Sequence, residues 1–185
     1  MSDPFQLLGF EHHFALSAQE LELRHRDLSA ALHPDRFSHA SPAERRAALN
    51  RAIAINEAAR ILKNPVQRGE LLLSHYGVST EEEQHPPASP ALLMEMMEKR
   101  ERLRTLTQQA DIDSLEKLVE LTRGEEKISL GQLEVVFERL GAAAESGQDL
   151  AAEEVERAYH HLSVLRYLRR FFEEADASLD ELEEI

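Results

Sequence analysis

The chain has 185 residues, no cysteine, no tryptophan, and 35 acidic against 21 basic side chains, a net charge of −14. That length holds one domain or two small ones, and a hydrophobic content of 42% is enough for a buried core. The missing thiols exclude disulfides, thiolate zinc sites, cysteine-ligated clusters and cysteine nucleophiles, and the acidic balance argues against broad nucleic-acid binding, which needs clustered Lys and Arg.

Abundant Ala, Leu, Glu and Arg with few glycines favour helices throughout. A short helix is expected over Pro4 to Leu8. Ser17-Ala18-Gln19-Glu20 reads as a capping box that opens a helix to Leu32, with Leu21, Leu28 and Leu32 on one side. Pro34 drives His33 out of helical geometry and stops it. Ser41-Pro42-Ala43-Glu44 is a second box. The helix it opens carries Ala48, Ala52, Ile55, Ala59 and Leu62 at alternating spacings of four and three, a narrow seam for a close antiparallel partner. The two boxed helices should therefore form a hairpin. A helix from Pro65 to Tyr76, stopped by Gly77, completes a first module, 1–77.

Val78 to Ser89 reads VSTEEEQHPPAS, a semi-rigid linker over 78–89. Charge divides there. Residues 1–77 hold nine Lys+Arg and nine Asp+Glu, so the whole −14 belongs to residues 78–185. The second module, 90–185, reads as three helices. The first runs from Ser89-Pro90 to about Gln108 and the second from near Asp113 to about Ser146, with Gly124 and Gly131 as weak points. The third is capped by Asp149 and reaches Glu174. Short connections imply an antiparallel three-helix bundle. Tyr159, Leu162, Leu165 and Phe172 are expected in its core, and Glu173 to Ile185 as a frayed acidic tail. No persuasive strand alternation, membrane-length apolar run (~18 residues) or secretory leader is visible, so the expectation is an all-α protein with no membrane association.

The hairpin turn is His33-Pro34-Asp35-Arg36-Phe37. Pro34 preorganises it, Asp35 presents a carboxylate suited to a bidentate arginine, and His33 can donate from a ring nitrogen and orient nearby backbone. Arg24, His25 and Arg26 lie on the helix leading in. Two other readings of the turn are a plain helix stop and a general-base or metal site; the second lacks a partner acid or a matching ligand spacing. On the helix from Pro90, a bundle-facing stripe runs through Leu92, Met96, Leu103 and Leu106. Leu93, Met94 and Met97 are left over, flanked by Glu98 and Glu101, either as an interface or as a second buried side. His160-His161 are adjacent and do not share a helix face, which makes them a weak metal candidate.

A helix, an HPD turn and an antiparallel helix resemble the J-domain, the module with which co-chaperones engage DnaK-type ATPases. DPFQLLGF, LxLRxxDLxxxLHPDRF (Leu21 to Phe37), Ile55-Asn56-Glu57-Ala58, NPVQRGELLLSHYG (Asn64 to Gly77) and LLMEMMEKRE (Leu92 to Glu101) look like the HscB family, J-type co-chaperones of iron–sulfur cluster assembly. The resemblance implies an L-shaped molecule that is not an enzyme and needs no cofactor. It implies that His33, Pro34, Asp35, Arg24, Arg26 and Arg36 meet the chaperone HscA and stimulate its ATPase. It further implies that Leu93, Met94, Met97, Glu98 and Glu101, with Tyr167 where the family has Phe, bind the scaffold IscU. Departures are Asp27 and the Ala30-Ala31 pair on the usually basic face, and Thr105 where an acid can stand. The alternative is a co-chaperone of a general DnaK with other clients. The bacterial cytoplasm is the expected setting.

Overall fold

The computed structural model describes residues 3–79 and 87–183, and the central part of the predicted linker, 80–86, lies outside them. All regular structure among the described residues is helical. The chain divides into two compact units between Val78 and Ser79.

In the first unit, α1 (Pro4–Leu8) starts where Asp3 accepts the Phe5 amide at 2.9 Å and ends at Gly9, whose φ of +72° is the left-handed conformation glycine adopts freely. Phe5 and Leu8 are buried. α2 (Ala18–Ala31) and α3 (Pro42–Lys63) form the expected hairpin. Only one of the two capping boxes closes. Ser41 and Glu44 exchange both bonds, Ser41 N to Glu44 Oε2 at 2.8 Å and Glu44 N to Ser41 Oγ at 3.3 Å. Ser17 accepts from the Glu20 amide, but the Glu20 carboxylate turns to Arg24 at 2.5 Å, because a charged i,i+4 partner outcompetes a neutral amide. The predicted seam is in place, with Ala48, Ile55, Ala59 and Leu62 buried and Ala52 half-buried. α3 also packs on α1 and on α4 (Pro65–His75), and its buried set includes Ala58 as well. Asn64 caps α4 by accepting the Val66 and Gln67 amides.

The second unit is the predicted three-helix bundle: α5 (Pro90–Gln108), α6 (Ile112–Glu145) and α7 (Ala152–Glu183), each packed on the other two. Ser89 caps α5 through the Leu92 amide. Asp111 caps α6 through Ser114. Leu92, Met96, Leu103 and Leu106 are buried as the stripe predicted. Gly124 and Gly131 do not interrupt α6, which runs unbroken for 34 residues.

α7 departs from expectation at three points. It begins at Ala152, with Glu154 and Val155 donating to the Ala151 carbonyl, rather than after a cap at Asp149. Phe171, not Phe172, is the buried ring. The buried run Leu162, Leu165, Leu168, Phe171 advances by threes, which rotates the contact line backward and leaves Phe172 half-buried at its edge. The tail is not frayed up to Glu183. Ala175 is fully buried, and Leu179 and Leu182 continue its face onto the cluster of Leu103, Leu106, Leu115 and Val119.

Candidate functional site

The turn between α2 and α3 is built by its proline. His33 stands at φ −59°, ψ 136°, the extended geometry a following proline imposes, and Pro34–Phe37 form one 3₁₀ turn closed by Arg36 N to His33 O at 3.0 Å. The imidazole accepts where donation was expected: the Asp35 amide donates to His33 Nδ1 at 3.4 Å. With its amide anchored, Asp35 projects a carboxylate that is 90% exposed. One of its oxygens, Oδ2, lies 3.4 Å from His33 Nδ1, and an exposed carboxylate of this kind suits a guanidinium fork, whose two parallel charge-assisted bonds read geometry as well as charge. Arg36 and Arg26 are exposed. Phe37 is half-buried.

Arg24 is placed differently from Arg26. Its guanidinium donates to the Leu8 carbonyl at 3.3 Å and to the Gly9 carbonyl, pairs with Glu20, and lies 4.1 Å over the Phe10 ring. It ties the exit of α1 to the first turns of α2. Sequence reading missed this brace, although the Glu20–Arg24 spacing signalled half of it. His25 Nε2 meets Asn56 Oδ1 at 2.9 Å across the hairpin, and Lys63 pairs with Glu22 at 2.5 Å. The hydrogen bond and charge of that lysine hold the Glu22 carboxyl below its usual range.

On α5, the residues left over from the bundle stripe face solvent. Met94 and Met97 are 63% and 70% exposed, and Leu93 is 39% exposed. Glu98 and Glu101 are exposed beside them, one turn further along the same face, with Glu101 3.1 Å from Arg104. Burial pulls the Lys99 ammonium down, but its hydrogen bonds to Glu95 and Glu125 outweigh this and hold it above its ordinary value. That clamp fixes α5 on α6 and so holds the rotation that turns the methionines outward. Tyr167 on α7 is half-buried against Leu92, Met96 and Leu168 and, with Ala88, Ser163, Arg166 and Arg170, lines an open cavity of about 170 Å³. It is joined to the α5 patch through Leu92 and Met96, the buried neighbours of Leu93 and Met97. Thr105 folds its hydroxyl back onto the Glu101 carbonyl.

His161 turns from His160 to the buried Ser129, Nδ1 to Oγ at 3.2 Å, and no group of three or more His, Asp or Glu suited to a metal occurs among the described residues. No helix among them is long and apolar enough to cross a membrane. Among the described residues, the turn at Asp35 and the outer side of α5 at Met94 and Met97 are exposed to solvent.

The chain is similar to known proteins over most of its length. Residues 88–176 match the family model described as the HSCB C-terminal oligomerisation domain. A co-chaperone protein HscB homolog of Burkholderia vietnamiensis is 34% identical over 179 residues, covering 97% of this chain and 95% of that protein. One of Ralstonia nicotianae is 33% identical over 177 residues, covering 96% of each. Among solved structures, chaperone HscB from Vibrio cholerae aligns with a TM-score of 0.79 at 29% identity over 98% of this chain and 99% of that one. Human co-chaperone HscB shares the fold, with a TM-score of 0.75 at 22% identity over 96% of this chain and 82% of that one.

Proposed function

The chain belongs to the HscB family of J-type co-chaperones in iron–sulfur cluster assembly, and from that premise we propose that it binds the scaffold IscU through α5 and presents it to the chaperone HscA while stimulating ATP hydrolysis by HscA. The observation that carries the chaperone half is the Asp35 carboxylate, 90% exposed on a turn whose backbone is already fixed. Its acceptor pair takes an arginine of the ATPase, and Arg26 and Arg36 supply positive charge on either side. Arg24 contributes by holding α2 in place, since its guanidinium is engaged with Leu8, Gly9, Glu20 and Phe10.

The scaffold half rests on exposed methionine and leucine at helical spacing. Leu93, Met94 and Met97 supply adaptable apolar area, and Glu98 and Glu101 a rim that orients a basic neighbour. Tyr167 closes the side toward α7. The chain supplies no catalytic group in this scheme and needs no cofactor; hydrolysis belongs to HscA. The proposed setting is the bacterial cytoplasm.

The test is the steady-state ATPase rate of HscA with scaffold, with and without this protein. Asp35→Asn should abolish the stimulation while the protein stays folded. Met94→Ala should weaken scaffold binding in a direct titration. Stimulation by Asp35→Asn equal to wild type sinks the chaperone half. A general DnaK stimulated as well as HscA, with scaffold binding untouched by Met94→Ala, favours a generic co-chaperone with other clients.

A further inference from the structure

A cationic corner stands out on an acidic bundle. Residues 78–185 carry the chain's whole net charge of −14, yet Arg166, Arg169 and Arg170 fall within five residues of α7. The three are used differently. Arg169 is exposed and pairs with Glu173 at 3.0 Å. Arg166 and Arg170, one helical turn apart, both line the open cavity of about 170 Å³ at Tyr167. Among the described residues, Ser163 and Ala88 complete its lining. Ser163, Arg166, Tyr167 and Arg170 stand at i, i+3, i+4 and i+7, so a single face of α7 presents them together.

Both acids one turn beyond Arg170 are engaged elsewhere. Glu173 is held by Arg169, and Glu174 turns across to Arg100 of α5. Arg170 thus faces the cavity with Arg166, half-buried, as its charged neighbour on the same wall. Like charges at i,i+4 repel, and an anion seated between them turns that repulsion into two attractions. The planar guanidinium matches the two oxygens of a carboxylate, and the hydroxyls of Ser163 and Tyr167 on the same lining are donors for either oxygen. The cavity has room for a carboxylate head with its stem.

The place of the cavity indicates what carries that carboxylate. Ala88 and Tyr167 pack on the buried Leu92, Met96 and Leu168, so the cavity lies beside the start of α5. Glu98 stands six residues beyond Leu92, about 9 Å along the helix. Resting on the reading that α5 binds the scaffold, we propose that Arg166 and Arg170 form an anion subsite that takes a carboxylate of the bound scaffold. The partner is then gripped by charges of both signs, a basic group at Glu98 and Glu101 and an acidic one in the α7 cavity, alongside the apolar contact at Leu93, Met94 and Met97. Apolar contact is non-directional, whereas two charge contacts of opposite sign, on different helices, fix how the partner is turned on the surface.

Calorimetric titration of the full chain with scaffold tests the subsite. Arg170→Gln should weaken binding about fivefold, and Arg166→Gln with Arg170→Gln about tenfold or more, with melting temperature unchanged for the exposed Arg170. Arg169→Gln removes the same charge one residue away from the cavity lining and should stay within about twofold of wild type. Tyr167→Phe, which keeps the ring and loses the hydroxyl, should weaken binding about two- to fivefold. The carboxylate is located by changing the scaffold's acids to amides one at a time, and by amidating its C-terminus as a separate arm. One such change should cost about fivefold against wild type and nothing against the double arginine variant, which tells a side chain from a chain end. Arg170→Gln and Arg169→Gln with equal effects, or no scaffold carboxylate whose loss goes silent in the double variant, overturns the proposal. If the arginine variants bind like wild type while Met94→Ala is weakened, the subsite falls and the scaffold reading stands; if Met94→Ala also binds like wild type, both fall.

Discussion

Replacing Arg24 by alanine separates a docking arginine from a bracing one. The guanidinium gives charge-assisted bonds to the Leu8 and Gly9 carbonyls, and such bonds contribute ~1.5–3 kcal/mol when desolvated. The side chain is 35% exposed, so the lower end of that range, halved by solvent to about 1 kcal/mol, is the appropriate figure. The surface pair with Glu20 adds ~0.3–0.5 kcal/mol and the stacking over Phe10 ~0.5 kcal/mol. The sum is about 2 kcal/mol. For a unit of this size each kcal/mol moves the midpoint by ~4–8 °C, so Arg24→Ala should lower the melting temperature of the first unit by roughly 10 °C. Thermal unfolding with hydrogen exchange on α1 and α2 peptides reads this unit apart from the bundle. Arg26→Ala, an exposed neighbour on the same helix, should stay within ~0.5 kcal/mol of wild type. Arg24→Lys should recover less than half, because one ammonium cannot reach two carbonyls and a carboxylate while lying flat on a ring. An Arg24→Ala protein that melts within about 2 °C of wild type yet fails to stimulate HscA would refute the brace and make Arg24 a docking residue.

Further outcomes follow from the same geometry. Met94→Ala removes an exposed side chain, so it should leave bundle stability unchanged and weaken scaffold binding by ~1–2 kcal/mol, about 5- to 30-fold, by calorimetric titration. Scaffold affinity should also fall with added salt, and less steeply after Glu98→Gln with Glu101→Gln; a salt slope untouched by the pair argues against a charged rim. Leu179→Ala with Leu182→Ala should cost the bundle about 2 kcal/mol, a shift of about 1 M in a urea midpoint. His161 is held below its ordinary value by burial first and by the charges of His160 and Arg157 next. The unfolded chain therefore takes up this proton before the folded one, and bundle stability should decline as pH falls below about 6.5, the unfolded value. His161→Asn should flatten that decline in urea midpoints measured from pH 7.5 to 5; an unchanged pH profile removes His161 from the account.

What could be read from the sequence was local. Proline and serine at helix starts fix geometry within four residues, which is why Ser41 and Ser89 mark their helices and Pro34 the turn at His33. On α5, the stripe of Leu92, Met96, Leu103 and Leu106 uses up one face, which sets Leu93, Met94 and Met97 apart, but only the structure decides between solvent and a second buried side, and it exposes them. The misses are competitive or cumulative. Glu20 had two partners within reach, and the choice between Ser17 and Arg24 depended on where α1 ends. The exchange of Phe172 for Phe171 grows from a rotation summed over three steps of three, invisible in any single heptad. The acidic tail concealed Ala175, Leu179 and Leu182, a contact face whose partner cluster includes residues some seventy positions earlier. Of the residues proposed to meet the chaperone, the exposure of Asp35 is local and legible, whereas the engagement of Arg24 needs the tertiary approach of Gly9.

The 3₁₀ turn at Pro34 also bears on timing. A loop already held by a pyrrolidine ring and an imidazole has little freedom left to lose on contact, so encounter need not wait for it to order. Its small footprint gives little to hold a complex together afterwards. In the proposed docking, a contact quick to form and quick to break would let a few molecules of this chain visit many chaperones in turn, each visit leaving the turn in the shape in which it arrived.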